Sequence, residues 1–350
     1  MAKSKSESNG QIDLRKALSS KYGKSYFVGD VPSLERIPTK IIGLDRILGG
    51  GLPVGRIIQI VAPSSAGKTT TALQMVRAVQ EAGYECAYAD LERTIDDQRL
   101  TQLGIDKQKL HLVRPASGTK ALDFAVDCAE FGIKLIVVDS VPFLTPEPKP
   151  GQEVEIGDVQ MAPQARLLSQ AQPIIVPAVE HNGATLLFIN QIRNKIGGYG
   201  NPTTYPGGLA LRFMCSTIVE ISRKEVHKDG SGLRIQLKTV KNKTHSEGLT
   251  CEVDLLYKSG IDAYSSMKEL LEKEGYLSRR GSYYYWSEEL AQHLGLADAK
   301  IGLGSKSVIG VLQSKPELYD YLYEQLVVTS GDDLDPAPET AEASADPAAE

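Results

Sequence analysis

The segment Ala62-Pro63-Ser64-Ser65-Ala66-Gly67-Lys68-Thr69 constrains this chain more than any other feature. It matches the phosphate-binding loop pattern that ends in Gly-Lys-Thr. The apolar run 56–61 before it reads as a buried strand, and residues 69–82, free of Gly and Pro, read as a helix. Strand, tight loop and helix in that order leave unpaired backbone N–H groups at a helix N-terminus, where they hold phosphate oxygens. Pro63, Ser64, Ser65, Ala66, Gly67 and Thr70 are then expected around a nucleotide. Lys68 adds a point charge at the outer phosphates, and the Thr69 hydroxyl sits on magnesium.

The rest of the chain sets this loop in an α/β frame. Residues 86–90, 110–113, 135–139 and 185–190 read as buried strands, with a helical spacing over 120–131. Alternation of this kind predicts a mostly parallel sheet with helices on both faces, and ligands at the carboxyl ends of its strands. Beyond it, residues 217–222, 232–240 and 249–257 read as antiparallel strands. A small mixed module follows residue 260, with a helix over 267–274, a strand over 283–286 and a closing helix over 316–328. The expected partition is 1–35 for an N-terminal helix and linker, 36–259 for the core, 260–328 for the small α+β domain and 329–350 for a disordered acidic tail. The N-terminal helix either packs on a neighbouring subunit or on its own core.

Charge is unevenly placed. The net charge is -5, yet residues 331–350 hold seven acids and no Lys or Arg, which leaves 37 acidic against 39 basic residues elsewhere. The tail either solubilises the chain or competes with nucleic-acid phosphate for basic sites. Cys86, Cys128, Cys215 and Cys251 form no metal-ligand spacing and read as buried reduced thiols of a cytoplasmic protein. No apolar run reaches membrane-spanning length, and no secretory signal opens the chain.

Several polar residues end the apolar strands. Asp139 closes 135–139 and fits the magnesium-holding acid that accompanies a phosphate loop, the bland reading being a helix cap. Glu92 follows 86–90 and suits the orientation and deprotonation of an attacking water, a task open to Asp90 on spacing alone. Gln191 stands at the tip of 185–190, as a phosphate sensor or simply as a loop anchor.

Ordered motifs then add up to a family. Beside the phosphate loop stand Gly49-Gly50-Gly51-Leu52-Pro53-Val54-Gly55-Arg56, Asp90-Leu91-Glu92, Val137-Val138-Asp139-Ser140-Val141 and Glu155-Ile156-Gly157-Asp158. Phe188-Ile189-Asn190-Gln191-Ile192-Arg193-Asn194-Lys195-Ile196-Gly197, Gly207-Gly208 and Val240-Lys241-Asn242-Lys243 complete the set. From about residue 11 to 315 the chain resembles RecA-family recombinases, bacterial or phage. The resemblance implies a RecA-like ATPase core that takes ATP and Mg2+, an N-terminal polymerisation helix and a small C-terminal domain. It further implies homo-oligomeric helical filaments on single-stranded DNA that pair it with homologous duplex DNA, with single-strand-binding or loader proteins as further partners. By position, Glu92 resembles the catalytic base, and Gln191 the switch between the terminal phosphate and a DNA loop. Lys241 and Lys243 resemble lysines that reach ATP on the next subunit. Residues 151–158, leading to Arg166 and Ser169, and 192–208, with Arg193, Lys195, Ile196, Gly197, Gly207 and Gly208, resemble the DNA-binding loops.

The chain departs from the family pattern at a few positions. Ala62 opens the phosphate loop where Gly is usual, leaving the backbone turn less free. Asp96 matches the acid on the adenine side, but Arg99 stands where an aromatic stacks on the base, and Tyr257 matches a second tyrosine there. Pro173 replaces a basic residue, and with Pro177 it is expected to kink its helix. The second DNA loop is one residue shorter than the usual bacterial form. Two other readings share the phosphate loop: a RecA-like helicase or branch-migration motor, and a regulatory ATP-binding paralogue.

Overall fold

The computed structural model describes residues 20–21, 33–147, 163–194, 203–296 and 298–328. The expected N-terminal polymerisation helix, apart from helical Ser20 and Lys21, lies outside the described residues, as do residues 151–158, Lys195, Ile196, Gly197 and the acidic tail. From Arg36 onward the chain forms a single contact unit.

β1 (Arg36–Ile37) pairs antiparallel with β2 (Leu52–Pro53), with α1 (Ile42–Leu48) between them in the chain. β3 (Ile57–Ala62) leads through the phosphate loop into α2 (Lys68–Glu81). There follow β4 (Cys86–Asp90), α3 (Asp97–Gln102), β5 (Leu110–Val113), α4 (Gly118–Glu130) and β6 (Leu135–Asp139). Next come α5 (Pro163–His181), β7 (Thr185–Gln191), the short β8 (Arg193–Asn194) and β9 (Thr203–Thr204), and α6 (Gly208–Met214). β10 (Thr217–Val226), β11 (Gly232–Asn242), β12 (Thr250–Leu256) and β13 (Gly260–Ile261) complete the large sheet.

That sheet has nine strands in the order β13-β12-β11-β10-β3-β7-β6-β4-β5. From β10 to β5 every neighbouring pair is parallel, and β11 to β13 continue it antiparallel. The central strands β3, β7, β6 and β4 are buried along almost their whole length because both of their faces are covered. One face packs α1 and α2 over Ile58, Ile60, Tyr88 and Val137; the other packs α4, α5 and α6 over Val61, Ile136, Val138 and Phe188. β11 instead alternates buried and half-buried residues, the signature of a strand with one face less covered. β10 is the seam: parallel to β3 and antiparallel to β11. The β-rich run read as antiparallel strands extends the same sheet.

α5 runs from Pro163 to His181 with both Pro173 and Pro177 inside it. Pro173 and Pro177 are exposed, while Leu167, Leu168, Ile175 and Val179 hold the helix to the sheet. Packing along this buried stripe offsets the missing N–H groups.

The C-terminal elements are α7 (Ala263–Lys273), β14 (Leu277–Arg280), β15 (Tyr283–Trp286), α8 (Glu288–His293), β16 (Lys300–Leu303), α9 (Ser305–Ser314) and α10 (Pro316–Val328). They bury a cluster around Met267, Trp286, Leu312 and Leu322, which also takes in Ile42 of α1. Reading the sequence located α7, β15 and α10 but missed β14, α8, β16 and α9, whose apolar signals are short.

A buried carboxylate ties this cluster to α1. Asp45 is fully buried and accepts from Thr39 N at 2.9 Å, Thr39 Oγ1 at 2.7 Å and Tyr323 Oη at 2.5 Å. Burial outweighs these bonds and pushes the carboxyl up to about 6. A folded value above the ordinary carboxylate range means that ionisation weakens the fold as pH rises through about 6, and the Tyr323 hydroxyl supports the ionised form. Tyr323→Phe is expected to lower stability by about 1–3 kcal/mol in urea unfolding, more near pH 8 than near pH 5. Equal losses at the two pH values contradict this account of Asp45.

Candidate active site

Strand register brings the polar residues level. Ala62 of β3 pairs with Gln191 of β7, Asp139 of β6 with Ile189, and Asp90 of β4 with Asp139. The carboxyl ends of β3, β7, β6 and β4 thus open on one edge, directly above the start of α2.

The loop itself is conformationally demanding. Gly67 caps α2 at φ 91, and a Cβ there would lie 2.4 Å from Leu255 Cδ1. Ser65 sits at φ 57, in the left-handed region. Ala62 ends β3 as ordinary buried strand, so the residue that replaces glycine carries no strain. Lys68 donates Nζ to the carbonyls of Ala62 at 3.2 Å and Pro63 at 2.8 Å. Burial lowers its pKa, while Glu92 and Asp139 favour its charged form.

Asp139 is the centre of the acidic side. Its Oδ2 accepts from Thr69 Oγ1 at 2.9 Å and Tyr88 Oη at 2.7 Å. Its Oδ1 is buried and has no hydrogen-bond partner among the described residues. Burial pushes this carboxyl up to about 6. An orphaned carboxylate oxygen beside a threonine hydroxyl is the oxygen-donor chemistry that a hard divalent cation takes. Thr69 and Asp139 fit magnesium on that ground.

Glu92 and Asp90 separate by geometry. Leu91 N and Glu92 N both donate to Asp139 O, at 2.7 and 3.3 Å, and Arg93 turns at φ 58. This turn holds the Glu92 carboxylate at the cavity, where Oε1 accepts from Ser140 Oγ and from Gln191 Nε2 at 3.3 Å. Asp90 is fully buried instead and accepts from Thr94 N at 3.1 Å and Ile95 N at 3.2 Å, with Arg114 Nε 3.5 Å away. It fastens the loop after β4.

A cavity of about 420 Å³ collects Ser64, Ser65, Ala66, Gly67, Lys68, Thr69, Thr70, Glu92, Arg99, Asp139, Gln191 and Tyr257, with Leu233 and Leu255 forming an apolar wall. Arg99 spans its mouth, donating to Thr70 Oγ1 at 2.8 Å and Tyr257 O at 2.6 Å. Asp96 does not line the cavity: it caps α3 and accepts from Arg99 N at 2.7 Å. Pro63 does not line the cavity, and its carbonyl accepts from Lys68. A larger cleft of about 560 Å³ lies behind α2, against α7 and α10. Lys40 there pairs with Asp320 and Arg77 with Glu81, and the phosphate-loop residues are absent from it. Chemistry rather than size singles out the smaller cavity.

Lys241 and Lys243 do not line this cavity. Lys241 Nζ caps the end of α6, donating to Cys215 O at 2.6 Å and to Arg212 O. Lys243 is exposed. Arg166 and Ser169 are exposed on α5. The start of α6 rests on the same helix: a Cβ at Gly207 would lie 3.0 Å from Leu168, and one at Gly208 3.3 Å from Ala165. Exposed Gly208 therefore lies against the helix that carries Arg166 and Ser169, while Gly207 is buried at that contact. The side chain of Arg193 lies outside the described residues. Sequence reading missed Tyr88, Ser140, Leu233 and Leu255. Ser140 was within reach, as the hydroxyl directly after the strand-ending acid.

Asp90→Asn is expected to destabilise the fold by about 1–3 kcal/mol in chemical unfolding, through weakened bonds to Thr94 and Ile95. Glu92→Gln is expected to leave the unfolding midpoint unchanged. A reversed pattern contradicts the division of roles.

The family model for the RecA N-terminal domain matches residues 15–262. Protein RecA of Kineococcus radiotolerans is 37% identical over 301 residues, covering 84% of this chain and 83% of that protein. Protein RecA of a Picosynechococcus species is 38% identical over 274 residues, covering 76% of this chain and 78% of that protein. Protein RecA of a Nostoc species is 35% identical over 298 residues, with 84% and 80% covered. With the matched segment spanning the phosphate loop, Glu92, Asp139, Gln191 and the Lys241–Lys243 strand end, the chain belongs to the RecA family.

Proposed function

We propose that the cavity between β3, β4, β6 and β7 holds ATP with magnesium and hydrolyses it in concert with single-stranded DNA. Membership in the RecA family makes the chain an ATP-dependent recombinase of recombination and repair, and a DNA-dependent ATPase. The observation that carries the site assignment is convergence: Lys68, the Thr69–Asp139 pair and the Glu92–Gln191 pair face one cavity from four strand ends.

In this reading Lys68 exchanges the carbonyls of Ala62 and Pro63 for outer phosphate oxygens. Thr69 and Asp139 hold magnesium, which neutralises charge on the phosphates. Glu92 accepts the proton of the attacking water, and its bond to Ser140 keeps the carboxylate aimed into the cavity. Gln191 has an amide to offer the terminal phosphate and lies at the end of β7, where the second DNA loop begins. A change in its contact is thereby passed to Arg193 and beyond. Arg99 and Tyr257 flank the base. Arg166, Ser169, Arg193, Lys195, Ile196, Gly197, Gly207 and Gly208 meet the DNA backbone, cations and glycine N–H groups suiting phosphates whose bases need not be read.

Lys241 and Lys243 act on the ATP of an adjacent protomer in the helical filament, so assembly completes the charge clamp. The partition into residues 1–35, 36–259, 260–328 and 329–350 belongs to the same proposal, as do single-strand-binding or loader partners. The intact Lys68, Glu92 and Gln191 support a hydrolysing member over a regulatory one.

Lys68→Ala is expected to abolish phosphate release in the presence of single-stranded DNA. Glu92→Gln is expected to retain ATP and DNA binding while turnover falls about 100-fold or more, as for loss of a general base. Turnover at the parental rate in either variant contradicts its assigned role. Asp139, pushed up to about 6, must be ionised to hold magnesium. The magnesium requirement of turnover is expected to rise about tenfold between about pH 7 and about pH 5, as protons compete for the carboxylate. A magnesium titration with the same midpoint at both pH values contradicts this ligand.

A further inference from the structure

We infer that Arg223 is a positioning residue of the phosphate loop, turning one peptide so that its N–H faces the triphosphate. The inference rests on the nucleotide reading of the cavity and adds a residue from outside every matched motif.

β10 pairs with β3 only as far as Glu220, opposite Val61, and then runs on to Val226 beside the loop. Its pairing with β11 shifts between Arg223 and Glu225, so the strand is irregular just where it passes the loop. From there Arg223 donates Nε at 3.1 Å and Nη2 at 2.6 Å to one acceptor, the carbonyl of Ser65. The two donors of a planar fork fix that carbonyl in direction as well as distance.

The Ser65–Ala66 peptide is trans, and in a planar trans peptide the N–H points opposite to the carbonyl. With the Ser65 carbonyl drawn towards Arg223, the Ala66 N–H faces the other way. Ala66 is fully buried and borders the cavity, and its N–H has no acceptor among the described residues. A phosphate oxygen is the acceptor this donor fits. Ser65 itself occupies the left-handed region, which a serine adopts at a cost, so an outside restraint on its peptide has something to hold in place.

Arg223 is exposed, and its link to Ser65 joins residues 158 apart in the chain. An exposed contact adds little to the stability of the fold. Its effect falls on binding: a loop already in its bound shape loses less freedom when the phosphate arrives. Leu233 and Leu255, on β11 and β12, line the same cavity. The antiparallel extension of the sheet thereby supplies both a wall and a clamp to a loop carried by its parallel half.

The test uses the full chain with ATP, magnesium and single-stranded DNA, with Lys68→Ala as reference. Arg223→Met is expected to raise the KM for ATP and its calorimetric Kd about tenfold, with kcat at saturating ATP within about twofold and the melting temperature unchanged. Arg223→Lys, which keeps the charge but not the fork, is expected to recover less than half of that loss on a logarithmic scale. A parental Kd in Arg223→Met, or a fall in kcat at parental KM, overturns the inference. If Lys68→Ala loses ATP at the same time, the nucleotide site stands without Arg223. If Lys68→Ala also binds ATP like the parent, the reading of the cavity falls. Should Arg223→Met lower the melting temperature, Arg223→Lys decides: a raised KM at parental melting supports the clamp, and a parental KM overturns it.

Discussion

The site depends on a carboxylate held where water does not reach it. Asp139 ends a strand buried on both faces, and one of its oxygens is satisfied by Thr69 and Tyr88 while the other has no partner among the described residues. Burying such a group costs several kcal/mol unless a charge or a donor compensates. The fold keeps it there by strand pairing on both sides of β6. In the proposed account a divalent cation supplies the missing charge, which makes its binding a relief of stress built into the folded chain. The backbone carbonyl of Asp139 has a second task, receiving the amides of Leu91 and Glu92 and so fixing the turn that presents Glu92.

Around this residue, rigid parts and polar parts divide the labour. Apolar strands fix the level at which Ala62, Asp90, Asp139 and Gln191 emerge, because register is set by the buried faces. The polar groups then need only short reaches: Gln191 to Glu92, Thr69 to Asp139, Lys68 back to its own loop. Lys68 bonded to carbonyls and Lys241 bonded to the end of α6 are two cations engaged by local acceptors. In the proposed account each gives up those acceptors for phosphate, Lys68 within its own protomer and Lys241 on the neighbour. Nucleotide, filament and DNA loop are thereby coupled through groups that have alternative partners.

Much of this was legible in the sequence, and the reason is local. The phosphate loop, Asp139 and Gln191 stand at the ends of apolar runs, and an apolar run that stops on a polar residue marks a strand end without any knowledge of the fold. Spacing alone did not choose between Asp90, the last residue of β4, and Glu92 just beyond it, because only the cross-strand turn separates them. Asp96 was read as a base contact, although Asp three residues before Arg99 is also a helix-cap spacing, which is the role its side chain takes. Tyr88, Leu233, Leu255 and Arg223 reach the site through sheet order, and strand order is not written in hydrophobic periodicity. Residues 217–222 and 232–240 were recognisable as strands, but that the first pairs with β3 and carries the second beside it was not.

The most direct measurement is a cryo-electron microscopy map of the full chain with magnesium, a non-hydrolysable ATP analogue and single-stranded DNA. The account predicts the triphosphate along residues 64–69, with Lys68 Nζ on phosphate oxygen instead of the Pro63 carbonyl and a cation between Thr69 and Asp139. Nucleotide density in the cleft behind α2, or Lys68 still bonded to Pro63 beside a bound nucleotide, would contradict it.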